Sequence, residues 1–230
     1  MFEITKNDLL ARIGKLTTKS GTVLTPAFVP VVHPEAKKNL VNVETFFPEI
    51  GIDIIITSSY ILRKEFFEKI VDLREITGFS DTIMTDSGAY QSLVYGEVEI
   101  TPKNAITFQE QLNTDIGVPL DIPIALKDSY VTAKEKVLTT IQRCKEAGKY
   151  ISEKDILWAC PIQGGKYASL VEYSAKKLTE SPQYDMFAIG SVVELMSNYQ
   201  FDVLLQSILT AKKYLDPSKP VHLFGAGHPM

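Results

Sequence analysis

Short apolar runs that end in polar or glycine-rich groups recur along the chain and constrain its fold more than any other feature. They occupy residues 27–31, 52–57, 81–85, 116–120, 156–162, 186–189 and 221–224. Apolar residues do not alternate with polar ones in these runs, which is typical of parallel strands buried on both faces. Helical patterns separate most of them, over about residues 102–113, 131–150, 167–179 and 199–214. The second helix carries one apolar stripe, formed by Ala133, Val137, Ile141, Cys144 and Ala147.

Strands that alternate with helices at this spacing predict right-handed βαβ units. Seven strands favour a (β/α)8 TIM-type barrel, incomplete in this chain, over an open sheet. In a TIM-type barrel the C-terminal ends of the strands converge on one mouth, where the chemistry takes place. We therefore expect one catalytic α/β barrel domain over residues 1–230.

The N-terminal segment, residues 1–25, departs from this alternation. Residues 3–5, 11–16 and 22–24 predict short antiparallel strands, with turns at Asn7-Asp8 and Ser20-Gly21. We expect this segment to cap the bottom of the barrel or to flank its first strand.

Composition is typical of a globular domain in the cytoplasm. Hydrophobic residues make up 45% and charged residues 23% of the 230 residues, enough for one sizeable core. The sequence has neither an apolar run of about 18 residues nor a signal peptide, so we expect no membrane association. Cys144 and Cys160 have the spacing of neither a metal site nor a disulfide framework, and we expect both in the core.

The sequence IMTDSGAYQ, residues 83–91, has the pattern of an active-site edge. Asp86 ends a strand, Gly88 allows the backbone to turn close to a ligand, and Tyr90 can stack on a planar ring. One such motif alone is more often a strand end with a capping aspartate. Its repetition at Asp121 and at Gln163, after other predicted strands, favours a shared site.

Five motifs, in order, resemble those of the tRNA-guanine transglycosylases. They are TDSGAYQ (residues 85–91), LDIP (120–123), IQGGKY (162–167), IGSVV (189–193) and HLFGAGHP (222–229). The archaeal branch is most similar, because LDIP, FGAGHP and the segment at residues 12–34 have its form. The resemblance covers nearly the whole chain. It implies exchange of a guanine in the tRNA D-loop for 7-cyano-7-deazaguanine, in archaeosine biosynthesis, by a protein that is a homodimer when complete.

Base exchange with retained configuration needs a carboxylate that attacks the anomeric carbon and a second group that handles the proton of the base. The resemblance implies that Asp86 is the catalytic residue that handles this proton. It implies that Asp121 and Gln163 bind the Watson-Crick edge and the carbonyl of the base, because a carboxylate and a carboxamide suit its donors and its acceptor. It implies that Ser87 adds a hydrogen bond to the base and that Tyr90 stacks on its ring. It also implies that Gly190 and Ser191 present backbone groups.

The family's nucleophilic aspartate lies beyond the FGAGHP motif, and its zinc ligands, three cysteines and a histidine, lie further on. The sequence ends at Met230 without them. We therefore expect no cofactor in this chain, no activity from the chain alone, and a barrel without its last strand. The family's C-terminal RNA-binding domains are missing as well. Either a longer polypeptide or a second chain would supply the strand and the nucleophile.

The formal net charge of −4 contrasts with the clustered Lys and Arg that bind RNA phosphates. Basic pairs at residues 37–38, 63–64, 176–177 and 212–213 are expected to be ordinary solvated helix faces. Two other functions stay open at this point. One is a non-catalytic tRNA-binding subunit of a two-chain enzyme. The other is an unrelated barrel enzyme with a phosphate bound at residues 225–227.

Overall fold

The computed structural model describes residues 1–66, 72–89, 100–152 and 155–227. The chain begins with a three-stranded antiparallel sheet in the order β1-β2-β3, made of β1 (Phe2–Asp8), β2 (Ala11–Thr17) and β3 (Thr22–Thr25). This confirms the predicted antiparallel segment. The first predicted turn was wrong: Asp8 pairs with Ala11, so Asn7-Asp8 lies inside β1 and the chain reverses at Leu9 and Leu10. Strand pairing outweighs the turn preference of Asn and Asp here.

A six-stranded parallel sheet forms the centre of the molecule and curls into a half-barrel. Its strands are β4 (Ile54–Ser58), β5 (Thr82–Asp86), β6 (Ile116–Gly117), β7 (Leu157–Ile162), β8 (Met186–Ile189) and β9 (Val221–Leu223), hydrogen-bonded in chain order. The fold is therefore α/β, consistent with an incomplete TIM-type barrel.

The predicted first barrel strand, residues 27–31, is reduced to a single parallel bridge between Val31 and Ile56. Two hydrogen bonds hold it: Val32 N–H to the Ile56 carbonyl and Ile56 N–H to the Pro30 carbonyl, both 2.9 Å. Pro26 and Pro30 have no N–H, so this segment cannot form a continuous ladder.

The helices lie on the outer face of the sheet. They are α1 (Val43–Glu49), α2 (Ser59–Phe66), α3 (Leu73–Thr77), α4 (Pro102–Gln111), α5 (Tyr130–Ala147), α6 (Ala168–Leu178), α7 (Val193–Ser197) and α8 (Phe201–Tyr214), with a short 3₁₀ helix at Ala36–Lys38. The four predicted helices are confirmed as α4, α5, α6 and α8. Side chains at Thr101 and Ser129 cap the N-termini of α4 and α5. The predicted stripe of α5 is buried in full. No helix among the described residues is both long and apolar enough to cross a membrane.

Two apolar layers stabilise the sheet. Inside the curl, side chains from β4 to β8 pack with Leu16 and Val23 of the small sheet. Outside, Trp158 and Phe187 pack against the helices, together with Cys144 and Cys160. Both cysteines are fully buried thiols, as predicted.

The small sheet closes the N-terminal end of the half-barrel, which confirms the expected cap. The Thr18 hydroxyl lies 3.0 Å from that of Thr82, at the start of β5. Arg12 Nη1 donates to the Lys219 carbonyl just before β9, at 2.9 Å. The mouth of the half-barrel therefore lies at the other end, where the C-terminal ends of the strands meet.

Candidate active site at the mouth of the half-barrel

A cavity of about 990 Å³ lies inside the curled sheet and reaches its mouth. Apolar side chains from the strands line its lower walls, among them Ile56, Met84 and Met186. Six of the predicted site residues line it as well, namely Asp86, Ser87, Asp121, Gln163, Gly190 and Ser191. The seventh, Tyr90, lies outside the described residues. The structure therefore gathers these six residues, from four distant segments of the sequence, around one cavity.

Asp86 is the last residue of β5 and faces Ser58, its register partner at the end of β4. Its Oδ1 accepts hydrogen bonds from the Gly88 N–H at 2.8 Å and from the Ser58 hydroxyl at 3.2 Å. Burial nevertheless raises the pKa of Asp86 to about 6, and the charge of Asp121 adds to the increase. Asp86 can therefore gain or lose a proton near neutral pH.

Gly88 has to be a glycine for two reasons. Its φ is +79°, and a Cβ at this position would lie 2.6 Å from the Cβ of Tyr60. This turn places the Gly88 N–H within hydrogen-bond distance of Asp86 Oδ1.

A chain of side-chain hydrogen bonds crosses the mouth and centres on Asp121. Ser87 Oγ donates to Asp121 Oδ1 at 2.9 Å, and Gln163 Nε2 donates to Asp121 Oδ2 at 2.5 Å. Ser191 Oγ donates in turn to Gln163 Oε1 and accepts from the Ile124 N–H at 2.7 Å. These bonds fix which end of the Gln163 carboxamide faces Asp121.

Burial raises the pKa of Asp121, whereas the bonds from Ser87 and Gln163 oppose the increase. Each oxygen of this carboxylate accepts from a neutral donor. An ionised Asp121 can therefore receive a donor from a bound molecule, provided that the molecule displaces or shares one of these bonds.

That Gly190 and Ser191 present backbone groups to a bound base stays a prediction. The Gly190 N–H donates to the Ile162 carbonyl at 3.0 Å, so the sheet already uses it. A Cβ on Gly190 would lie 2.3 Å from Gln163 Nε2. Ser191 contributes its hydroxyl, and its φ of +61° places it in the left-handed region.

Two further residues at the mouth, Ser58 and Phe224, were not among the predicted site residues. The apolar run at residues 52–57 ends in polar residues like the other runs, and the same rule would have found Ser58. Phe224 lines the cavity, and its ring stands edge-to-face on His222 with centroids 4.7 Å apart. Burial lowers the pKa of His222 to about 4, so its imidazole is neutral at pH 7.

Close packing explains the two glycines at residues 225–227, the segment for which a phosphate site was the alternative prediction. Gly225 has φ +63°, and a Cβ there would lie 2.3 Å from Val193 Cγ2. A Cβ on Gly227 would lie 2.9 Å from the ring of Phe28. No feature of the described loop favours phosphate over this role, and His228 lies outside the described residues.

Two of the basic pairs hold acidic partners within the chain. Lys38 contacts Glu35 at 2.5 Å and Glu65 at 3.0 Å, and Lys176 contacts Glu172 at 2.5 Å. These pairs fit the predicted solvated helix faces.

No cluster of three or more His, Cys, Asp or Glu side chains within the described part of the chain could hold a metal ion.

The sequence is similar to one family of known proteins over nearly its whole length. Residues 7–230 match the family model described as queuine tRNA-ribosyltransferase. Relatives named tRNA-guanine(15) transglycosylase include those of Sulfolobus acidocaldarius (40% identical over 230 residues), Methanosarcina mazei (42% over 238) and Pyrobaculum aerophilum (41% over 232). The alignments cover 99%, 100% and 100% of this chain but 45%, 47% and 46% of the respective relatives. The chain thus spans less than half the length of these relatives.

Replacing Gly190 by Ala should disturb the site, because the new Cβ would collide with a Gln163 side chain that is bonded at both ends. We expect Gly190→Ala to lower the free energy of unfolding by about 1–3 kcal/mol. The side-chain amide resonances of Gln163 should also shift. Urea unfolding and NMR measure the two effects. Gly21→Ala is the matched control, since no atom lies within 4 Å of its added Cβ. Unchanged Gln163 resonances in Gly190→Ala would contradict the fixed carboxamide.

Replacing Asp86 by Asn should stabilise the protein at neutral pH. Because the pKa of Asp86 is higher in the folded state, the folded protein binds the proton more tightly and loses stability as pH rises from about 4 to 6. Asp86→Asn removes this cost, about 2 kcal/mol after allowance for partial exposure. Urea unfolding should show the gain at pH 7.5 and none at pH 4, with Asp53→Asn, on an exposed residue, as the control. An equal gain at both pH values would assign the effect to packing.

Proposed function

The chain belongs to the queuine tRNA-ribosyltransferase family, and we propose that it forms the base-binding part of a tRNA-guanine transglycosylase. The proposed reaction exchanges a guanine in the tRNA D-loop for 7-cyano-7-deazaguanine, in archaeosine biosynthesis. The names of the archaeal relatives and the archaeal form of the motifs support this choice. Since the chain spans less than half the length of those relatives, the activity is proposed for the complete enzyme, as a cytoplasmic homodimer.

The observation that carries the proposal is the network of Asp121, Ser87 and Gln163 at the bottom of the mouth. Guanine presents a carbonyl acceptor beside N–H donors, whereas adenine presents an amino donor where guanine has its carbonyl. An ionised Asp121 accepts the donors of guanine, and the Gln163 amide donates to its carbonyl. The same groups would leave unpaired partners against adenine, so they favour guanine and its 7-deaza analogues.

Asp86 suits the proton step of the exchange. When a carboxylate attacks C1′ of the ribose, an ester bond forms, the bond from C1′ to N9 breaks, and its electron pair leaves with the guanine. The departing guanine then needs a proton, and the incoming base must lose one before it attacks C1′ and expels the carboxylate. A carboxyl group with a pKa of about 6 can supply and take back that proton near neutral pH.

We assign the attacking carboxylate to polypeptide outside these 230 residues, as the resemblance implies. Two properties of the described carboxylates support the assignment. Asp121 accepts the donors of the base in this proposal, and Asp86, with a pKa of about 6, is suited to exchanging its proton. The attack on C1′ therefore needs a further carboxylate beside these two.

Base binding tests the proposal directly. Calorimetric titration with guanine should give a saturable isotherm, and Asp121→Asn should weaken it by about 1.5–3 kcal/mol, the value of a hydrogen bond to a charged group. Asp53→Asn, on an exposed residue, should leave the affinity unchanged. Adenine bound as tightly as guanine would refute the assigned base specificity.

The 230-residue chain by itself should incorporate no labelled guanine into tRNA, because positioning without an attacking carboxylate cannot form the ribosyl ester. The measurement is radiolabel retained in tRNA after incubation with the purified chain. Incorporation by this chain would place the nucleophile among its own residues. Asp86 and Asp121 would then be tested by trapping the covalent intermediate.

A further inference from the structure

Helix α5 holds both polar atoms of the peptide bond that follows Asp121. The Ile122 N–H donates to Thr140 Oγ1 at 3.0 Å, and Arg143 Nη1 donates to the Asp121 carbonyl at 3.3 Å. Thr140 and Arg143 are three residues apart on α5 and so lie on the same face of the helix. One turn of α5 therefore fixes the orientation of a single peptide unit.

The sheet does not hold this peptide. Strand β6 consists of Ile116 and Gly117, and its ladder partners are Met84, Leu157 and Trp158. Beyond β6, the backbone N–H and carbonyl of Val118 are bonded to the side chain of Gln109 in α4. Side chains of the surrounding helices thus replace the ladder along the segment that leads to Asp121.

Arg143 also acts on Asp121 through its charge. It takes part in none of the six ion pairs found among the described residues. Its guanidinium opposes the increase that burial causes in the pKa of Asp121. A carboxylate that stays ionised is the form that accepts donors from a base.

We propose that Thr140 and Arg143 are positioning residues for base recognition, which hold the 121–122 peptide so that the Asp121 carboxylate faces Gln163 and the cavity. The proposal rests on the function proposed above. Neither residue touches the base, because both lie on α5, outside the sheet. They act through the position of Asp121, and Arg143 also acts through its charge.

Four variants separate the parts of this proposal. Thr140→Val keeps the shape and removes the acceptor, whereas Thr140→Ser keeps the acceptor. Arg143→Met removes both the donor and the charge, whereas Arg143→Lys keeps the charge. Thr139→Val and Lys145→Met are matched controls on the same helix. Thr139 donates to the Glu135 carbonyl of its own helix, and Lys145 is exposed.

Guanine affinity, measured by calorimetry across a pH series, should fall about tenfold in Thr140→Val and in Arg143→Met, as expected when a buried polar group loses its partner. Thr140→Ser should bind like the wild type. The ¹³C titration of the Asp121 carboxyl group should move to higher pH in Arg143→Met and should move less in Arg143→Lys and Thr140→Val. A merely structural role would lower the melting temperature and leave the affinity and the titration unchanged.

The outcomes distinguish this inference from the proposed function. If the wild type binds guanine and both Thr140→Val and Arg143→Met bind it equally well, the positioning role is refuted. If the wild type binds no guanine, the proposed function fails. The ¹³C titration needs no ligand, so an unchanged Asp121 midpoint in Arg143→Met would still overturn the inference.

Discussion

Two carboxylates buried in one cavity are the constraint on which the rest of the site depends. A buried carboxylate is costly unless hydrogen bonds or opposite charges stabilise its ionised form. Asp121 receives bonds from Ser87 and Gln163 and the influence of the Arg143 charge. Asp86 receives bonds from a backbone N–H and a serine hydroxyl, and its pKa remains raised to about 6. Unequal surroundings therefore make one carboxylate suited to accept donors and the other suited to exchange a proton.

The barrel makes this arrangement possible because parallel strands deliver their last side chains to a common edge. Asp86 follows four buried residues of β5, and Gln163 follows directly after β7. The antiparallel sheet at the other end contributes Leu16 and Val23 to the interior, so the lower part of the curl is apolar. Polar groups are thereby concentrated at the mouth, where burial of Ser87, Asp121 and Gln163 strengthens the hydrogen bonds between them.

The sequence predicted most of the fold because the strands and helices have strong, distinct hydrophobic periods. It also predicted that Asp86 and Gln163 meet, since parallel strands bring both to one edge of the sheet. Asp121 joins them although it lies four residues beyond β6, because side chains of α4 and α5 hold the segment that leads to it. The strand predicted at residues 27–31 was too long, although the sequence already shows that Pro30 has no N–H with which to continue a ladder. The sequence could not predict that Ser191 uses its hydroxyl, because that contact depends on a backbone conformation which no local pattern specifies.

The strained conformation of Ser191 links stability to function in this site. A non-glycine residue in the left-handed region costs on the order of 1 kcal/mol, and such residues persist where the surroundings fix them. The Ser191 hydroxyl makes two bonds, to Gln163 and to the Ile124 N–H, and these bonds offset the cost. Gly190 beside it cannot carry a side chain without displacing Gln163. The backbone of residues 190–191 is therefore shaped around the Gln163 carboxamide, and the orientation of that carboxamide determines which edge of a base Asp121 and Gln163 can read together.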